Sequence, residues 1–249
     1  MRIALIADIH GNLLALDAVL AELAEEDVDE IVCLGDVAVG PQTAEALERI
    51  AETPCRVVLG NWDQYVVDGF PSPRSDLERK FVEMGEWWAE QLGPEHREVI
   101  RGFERLVELE LKPGLRLLAF HGSPRSVEDR ILPTTPDDEV ERMLMGLHAP
   151  LMAAGHTHFP MARQHGTALL LNPGSVGLQF AQPAPVMRML PCTQYALVTA
   201  DDDRLSVELR RSTFDAEALV SLILETGVPH AEWWAGLWTT KATADGRLC

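Results

Sequence analysis

The chain has 249 residues, 47% of them hydrophobic, with a formal net charge of −18 and a pI near 4.7. That length fits a single large domain with room for a substantial core. The acidity argues against a nucleic-acid backbone as partner, since that needs Lys and Arg patches, and no apolar run reaches the ~20 residues that span a bilayer.

Met1 to Ile9 is apolar but contains Asp8 and runs into His10. It lacks the small-residue cleavage site of a signal peptide, so it reads as a first strand and sets a cytoplasmic expectation. Cys33, Cys55, Cys192 and Cys249 form no C-x-x-C pair or zinc-ribbon spacing. Cys33 and Cys55 lie in apolar runs and read as buried free thiols. The whole chain, 1–249, is expected to form one domain, with a core over about 1–210 and a helical extension over 211–249.

In chain order, Arg2 to Ala7 predicts a strand. Leu13, Leu16, Leu20 and Leu23 then recur at helical spacing over Leu13 to Glu25, with Asn12 as N-cap. A strand over Glu30 to Leu34 follows, then a helix over Pro41 to Ala51 with Pro at its first position, then a strand over Arg56 to Leu59. This alternation marks an α/β layer with a mostly parallel sheet. Helices are predicted over Arg74 to Gln91 and Pro94 to Phe103. Leu106 to Leu111 and Leu115 to Phe120 flank a Pro-Gly turn and predict a hairpin. A helix over Pro136 to Leu147 leads to a strand over Leu151 to Ala154. Two more hairpins follow: Met161 to Leu171, turning at His165-Gly166, and Tyr195 to Ala200 with Arg204 to Arg210. Gln182 to Pro191 is Pro-rich and reads as an irregular loop. Helices over Asp215 to Thr226 and Ala231 to Trp238 complete the pattern. An α/β first part and a hairpin-rich later part together predict two sheets packed face to face with helices outside.

Five polar clusters fall at predicted strand ends, the edge where open α/β sheets bind ligands. Asp8 and His10 are two residues apart, which on an extended backbone puts a carboxylate and an imidazole on one side. Asp36 follows a buried apolar strand, where an unpaired acid is costly. Gly60-Asn61-Trp62-Asp63 offers an amide oxygen, and also reads as a glycine-assisted Asx turn. His121-Gly122 closes another strand. His156 and His158 close the next and share the two-residue spacing. His96, His148, His165 and His230 read as structural.

The ordered series Asp8-x-His10, Gly35-Asp36, Gly60-Asn61-x-Asp63, His121-Gly122 and Gly155-His156-x-His158, joined by Asn172-Pro173-Gly174-Ser175, resembles the calcineurin-like metallophosphoesterase superfamily. Within it, the last motif is similar to the small bacterial and archaeal phosphodiesterase branch. The match covers Met1 to Val176. The resemblance implies an α/β (α+β) fold, a four-layer αββα sandwich of two mixed β-sheets flanked by helices. It implies that Asp8, His10 and His158 hold one divalent transition-metal ion, that Asn61, His121 and His156 hold a second, and that Asp36 bridges them. Asp36, Asn61 and His121 are thereby the catalytic set. The mixed N/O shell suits Mn, with Fe, Ni, Zn or Co as alternatives. Asp63 and Asn172 are expected to orient ligands from behind.

The implied chemistry is hydrolysis of a phosphodiester, a nucleotide or a phosphoanhydride by a hydroxide shared between two cations about 3.5–4 Å apart. One departure stands out. Many members carry His where this chain has Trp62, and an indole N–H gives neither acid catalysis nor ligation. The expectation is a preference for good leaving groups. Trp62 either stacks on a substrate ring or packs in its loop. Arg125 either pairs with a substrate phosphate or is a plain surface arginine. The alternatives are a dinucleoside polyphosphate hydrolase and a non-catalytic scaffold with a metallophosphoesterase fold. Trp233, Trp234 and Trp238 cannot all face one way on a helix, and any left exposed would mark a homodimer contact or a substrate lid.

Overall fold

The computed structural model describes residues 1–181 and 187–238. Residues 182–186, the first half of the Pro-rich segment, and residues 239–249 of the extension, Cys249 included, lie outside the described residues. The elements run β1 (Arg2–Ile6), α1 (Leu13–Ala24), β2 (Glu30–Cys33), α2 (Thr43–Glu52), β3 (Cys55–Val57), α3 (Asn61–Asp68), α4 (Asp76–Glu90), α5 (Pro94–Arg101), β4 (Val107–Lys112) and β5 (Leu115–Phe120). They continue as α6 (Asp137–Leu144), β6 (Leu151–Ala154), β7 (Met161–His165), β8 (Ala168–Asn172), β9 (Cys192–Ala200), β10 (Leu205–Thr213), α7 (Ala216–Glu225) and α8 (Ala231–Ala235).

Two five-stranded sheets form, ordered β10-β9-β1-β2-β3 and β4-β5-β6-β8-β7. Both are mixed. In the first, β1, β2 and β3 run parallel, β9 pairs antiparallel with β1, and β10 pairs antiparallel with β9. In the second, β5, β6 and β8 run parallel while β4 and β7 are antiparallel edges.

Period-two alternation makes each strand two-faced. On β1, Ile3 and Leu5 join the core between the sheets, while Ala4 and Ile6 join the core under α1, α2, α7 and α8. On β5, Leu117 and Ala119 enter the inter-sheet core, and Leu118 and Phe120 pack against α6. The result is the four-layer αββα sandwich.

Several boundaries differ from expectation. Asn12 does cap α1, accepting the Ala15 N–H at 3.1 Å. Helix α2 instead starts after Gln42, so Pro41 precedes it rather than occupying its first turn. Helix α6 ends at left-handed Met145, before Leu147. The β7–β8 turn falls at Gly166-Thr167. Helix α8 stops at Ala235, leaving Trp238 outside it. Cys33 is buried and Cys55 half-buried, both as free thiols.

Candidate metal centre

The six parallel strands, three from each sheet, aim their C-terminal ends at one edge of the sandwich, and the seven candidate ligands sit just beyond those ends. Asp8 and His10 follow β1, Asp36 follows β2, Asn61 follows β3, His121 follows β5, and His156 and His158 follow β6. All but half-buried His156 are buried.

The backbone that presents them is not extended. Asp8, His10, Asp36, His156 and His158 take φ of 56°, 49°, 55°, 65° and 55°, in the left-handed region. This corrects the two-residue spacing argument, because each residue is aimed by its own turn. Left-handed non-glycine residues cost of order 1–3 kcal/mol each and persist only where surroundings over-determine them. Here the surroundings are hydrogen bonds between strand ends: Asp8 N–H to Gly35 O at 2.9 Å, His10 N–H to Asp36 O at 2.9 Å and Gly177 N–H to Asp8 O at 3.0 Å.

Two groups result, Asp8–His10–His158 and Asp36–His121–His156, each with ligand atoms within 4.8 Å of one another. His156 and His158, neighbours in sequence, therefore serve different groups. Asp36 lies between them, with Oδ2 at 3.3 Å from His121 Nε2 and 3.8 Å from His10 Nε2. Asn61 Oδ1 is 3.1 Å from His121 Nε2.

Tautomers follow from the outer contacts. His121 Nδ1–H donates to Leu34 O at 2.7 Å and His158 Nδ1–H to Leu178 O at 2.6 Å, so each Nε2 faces the centre. His158 Nε2 and His10 Nε2 stand 3.2 Å apart. Asp8 Oδ2 is buried without a hydrogen-bond partner. Facing imidazole nitrogens and an orphaned carboxylate oxygen are what a cation between them would satisfy, so the residues fit a dinuclear N/O metal site.

The electrostatics agree. Burial pushes His10 and His156 down to about 4 and His158 well below its ordinary value, so their lone pairs are available at neutral pH. Burial, joined by the charge of Asp36, raises Asp8 well above the usual carboxylate range. Burial opposes ionisation of Asp36 too, yet His121 beside it wins and holds that carboxyl well below the usual range. Burial likewise opposes charging His121, and Asp36 overcomes it, carrying the imidazole up to about 9.

Asp63 and Asn172 lie behind the candidate ligands. Asp63 accepts N–H groups from Asp36 at 2.8 Å, Ala38 at 2.8 Å and Gly60 at 3.1 Å. Asn172 Nδ2 donates to Gly155 O at 2.7 Å and to Thr157 Oγ1 at 3.1 Å, fixing the turn that carries His156. Gly60-Asn61-Trp62-Asp63 proves to be the first turn of α3 rather than a free Asx turn. Gly60 has an ordinary extended φ of −87°. Its glycine is needed for close approach, since a Cβ there would lie 2.1 Å from Asp36 Oδ1.

Trp62 donates its backbone N–H to Asp36 Oδ1 at 2.8 Å. Its ring packs on Tyr65 and Phe70, with centroids 5.7 and 6.2 Å away, and stands edge-on to His10 at 6.5 Å. Arg125 is not brought to the centre, because its fork is engaged by Asp129 at 2.7 and 2.9 Å. Arg130, which carries no motif, instead lines a second cavity, of about 480 Å³ and mixed polarity, together with Asn61, Trp62 and His156. His96, His148, His165 and His230 pair with glutamates away from the centre.

Residues 1–195 match the calcineurin-like phosphoesterase superfamily domain. The chain belongs to the calcineurin-like phosphoesterase superfamily. The archaeal relative named uncharacterized protein MJ0912, from Methanocaldococcus jannaschii, is 28% identical over 250 residues, covering 93% of this chain and 94% of its own. Two crystal structures share the fold. One is a metallophosphoesterase from Sphaerobacter thermophilus, with TM-score 0.73 and 24% identity over 95% of this chain and 97% of that one. The other is the hypothetical protein PH1004 from Pyrococcus horikoshii OT3, with TM-score 0.74 and 22% identity over 92% and 94%. This member of the superfamily thus carries two candidate metal-ligand groups at the shared edge of its sheets. Among the described residues, no helix is long and apolar enough to cross a membrane.

Proposed function

We propose that the chain is a phosphodiesterase dependent on two divalent transition-metal ions, with Asp8, His10 and His158 holding one, Asn61, His121 and His156 the other, and Asp36 shared. The observation that carries this reading is the position of Asp36, whose Oδ2 is within 3.8 Å of an imidazole nitrogen from each group. A bound cation pair would neutralise phosphate oxygens and make water a stronger acid, supplying a nucleophile near neutral pH.

The chain's own residues do the rest. Left-handed turns preset Asp8, His10, Asp36, His156 and His158, and an outer hydrogen bond presets His121, so little reorganisation accompanies reaction. The Trp62 N–H holds Asp36 in orientation. Arg130, on the wall beside His156, offers a guanidinium for a phosphate oxygen. No acid comes from position 62, and Tyr65 is no substitute, since burial and its bond to Glu128 push its hydroxyl well above its ordinary value, where it keeps its proton and is too weak an acid for rapid transfer. Good leaving groups are therefore favoured.

Metal-stripped protein reloaded separately with Mn, Fe, Ni or Zn tests the reading on bis-p-nitrophenyl phosphate and p-nitrophenyl phosphate. The expected result is metal-dependent turnover at least tenfold faster for the diester. Equal rates, or faster monoester hydrolysis, overturn it.

A further inference from the structure

Two cavities meet at the candidate centre. One, of about 210 Å³, has His10, Asp36, His156 and His158 on its inner side. The other, of about 480 Å³, reaches the centre at Asn61 and His156. Trp62, Phe81 and His156 line both, so these three side chains form the partition between them. Tyr65 and Phe70 pack on the Trp62 ring and hold it there.

The two cavities differ in chemistry. Away from the candidate ligands, the walls of the smaller one come from Met84 and Trp88 of α4, Leu219 of α7, Trp234 of α8 and Phe180 of the segment after β8. Among the described residues on those walls, no side chain besides the candidate ligands carries a charge. The Asn12 amide there is spent within the protein, donating to Gly177 O at 3.0 Å and accepting the Ala15 N–H at 3.1 Å. The larger cavity instead carries four charged side chains, Arg74, Glu78, Glu128 and Arg130.

A phosphodiester has two ester arms, and a phosphate at the centre faces both cavities. We propose that the substrate is an unsymmetrical diester, with a hydrocarbon arm in the smaller cavity and a polar arm in the larger. The inference rests on the phosphodiesterase reading and deepens it by giving the substrate class. Each methylene moved from water into the smaller cavity strengthens binding by up to about fourfold. A hydroxyl or amine placed there gives up its water for walls of carbon. In the larger cavity the balance reverses, because a hydrocarbon arm would strip water from four charges. A cavity of roughly 150 Å³ takes one benzene ring, so the smaller cavity has room for a substituted ring or a chain of about six carbons.

Titration calorimetry on the metal-loaded protein tests this with dialkyl phosphates, whose poor leaving groups make them ligands rather than substrates. Methyl hexyl phosphate is expected to bind at least tenfold tighter than dimethyl phosphate, and at least tenfold tighter than the methyl 5,6-dihydroxyhexyl ester. Dihexyl phosphate is expected to bind within about threefold of methyl hexyl phosphate, because only one hexyl arm finds a seat. A methyl 6-bromohexyl ester reports where the arm lies. Four of the six tryptophans, Trp62, Trp88, Trp234 and Trp238, line the smaller cavity. Bromine quenches indole fluorescence on contact, so saturation is expected to remove about a third of the emission or more. Met84→Gln, which puts an amide on that wall, is expected to narrow the hexyl-to-dimethyl ratio at least threefold. In the unsubstituted protein, three results each overturn the inference: equal hexyl and dimethyl affinities, a further tenfold gain for dihexyl phosphate, or bromohexyl binding without quenching. Tight, quenching bromohexyl binding with no turnover of aryl diesters under any metal would sink the phosphodiesterase reading and leave the cavity assignment standing. Diester turnover without arm discrimination would do the reverse.

Discussion

The carboxylate of Asp63 accepts the backbone N–H of Asp36 at 2.8 Å, so one acid holds the main chain that positions the other. Two further N–H groups, from Ala38 and Gly60, converge on Asp63. Asp63→Asn places an amide N–H₂ among three donors and leaves at least one buried N–H unpaired. The expected cost is about 2–3 kcal/mol of stability, with metal affinity about 10–100-fold weaker. Thermal unfolding and equilibrium dialysis read both, and unchanged values would remove Asp63 from the support of Asp36.

The two histidines of Gly155-His156-Thr157-His158 serve separate groups. His158→Ala is therefore expected to lose one equivalent of metal and keep the other, and His121→Ala to do the same at the opposite position. Metal content after dialysis distinguishes them. Loss of both equivalents in either variant, at unchanged fold, would show one merged site instead of two.

The metal-free protein should lose stability as the pH rises from 7 to 9. His121 is carried up to about 9 by Asp36 against its burial. Asp63 is pushed up to about 7 by burial and by Asp36. Groups with a raised folded pKa hold protons more tightly when folded, so their contribution is complete below the unfolded pKa and lost as pH climbs through the folded one. His10 and His156, pushed down to about 4 by burial, act in the opposite sense. Their contribution is nearly complete by pH 7, because an unfolded imidazole titrates near 6.5. A bound cation takes the protons' place, so reloaded protein should show a smaller decline. Unfolding midpoints of chelated and reloaded protein at pH 7, 8 and 9 check this, and a chelated midpoint that rises with pH contradicts it.

Gly40 packs against the turn that carries His10. A Cβ there would sit 1.7 Å from the His10 carbonyl oxygen. Gly40→Ala must displace that turn, at a cost of about 1–3 kcal/mol or more. Metal affinity at the Asp8–His10–His158 group should fall at least tenfold, although no ligand is changed. Retained affinity would mean the turn tolerates movement.

Much of this was legible in the residues. The short apolar runs Arg2 to Ile6 and Leu115 to Phe120 mark strands buried on both faces, and the seven ligand-type residues follow strand ends in order. Gly60-Asn61-Trp62-Asp63 misled, because a glycine before Asn reads as a turn. The usable signal was Asp63 three residues after Gly60, a carboxylate in a helix's first turn. The left-handed turns were not legible, since contacts between strands impose them against local preference. Arg130 was invisible for a related reason, because the loop after β5 places it and no spacing marks it. The apolar cavity gathers Trp88 and Trp234 from elements far apart in sequence, which no local pattern encodes.

The central claim, two ions acting together on a diester, is tested most directly by titrating metal into stripped protein while following both bound metal and bis-p-nitrophenyl phosphate hydrolysis. The account predicts two equivalents bound, turnover that appears as the second equivalent is taken up, and neither full occupancy nor turnover in Asp36→Ala. Full turnover at one equivalent, or two equivalents bound with no turnover under any metal, would contradict it.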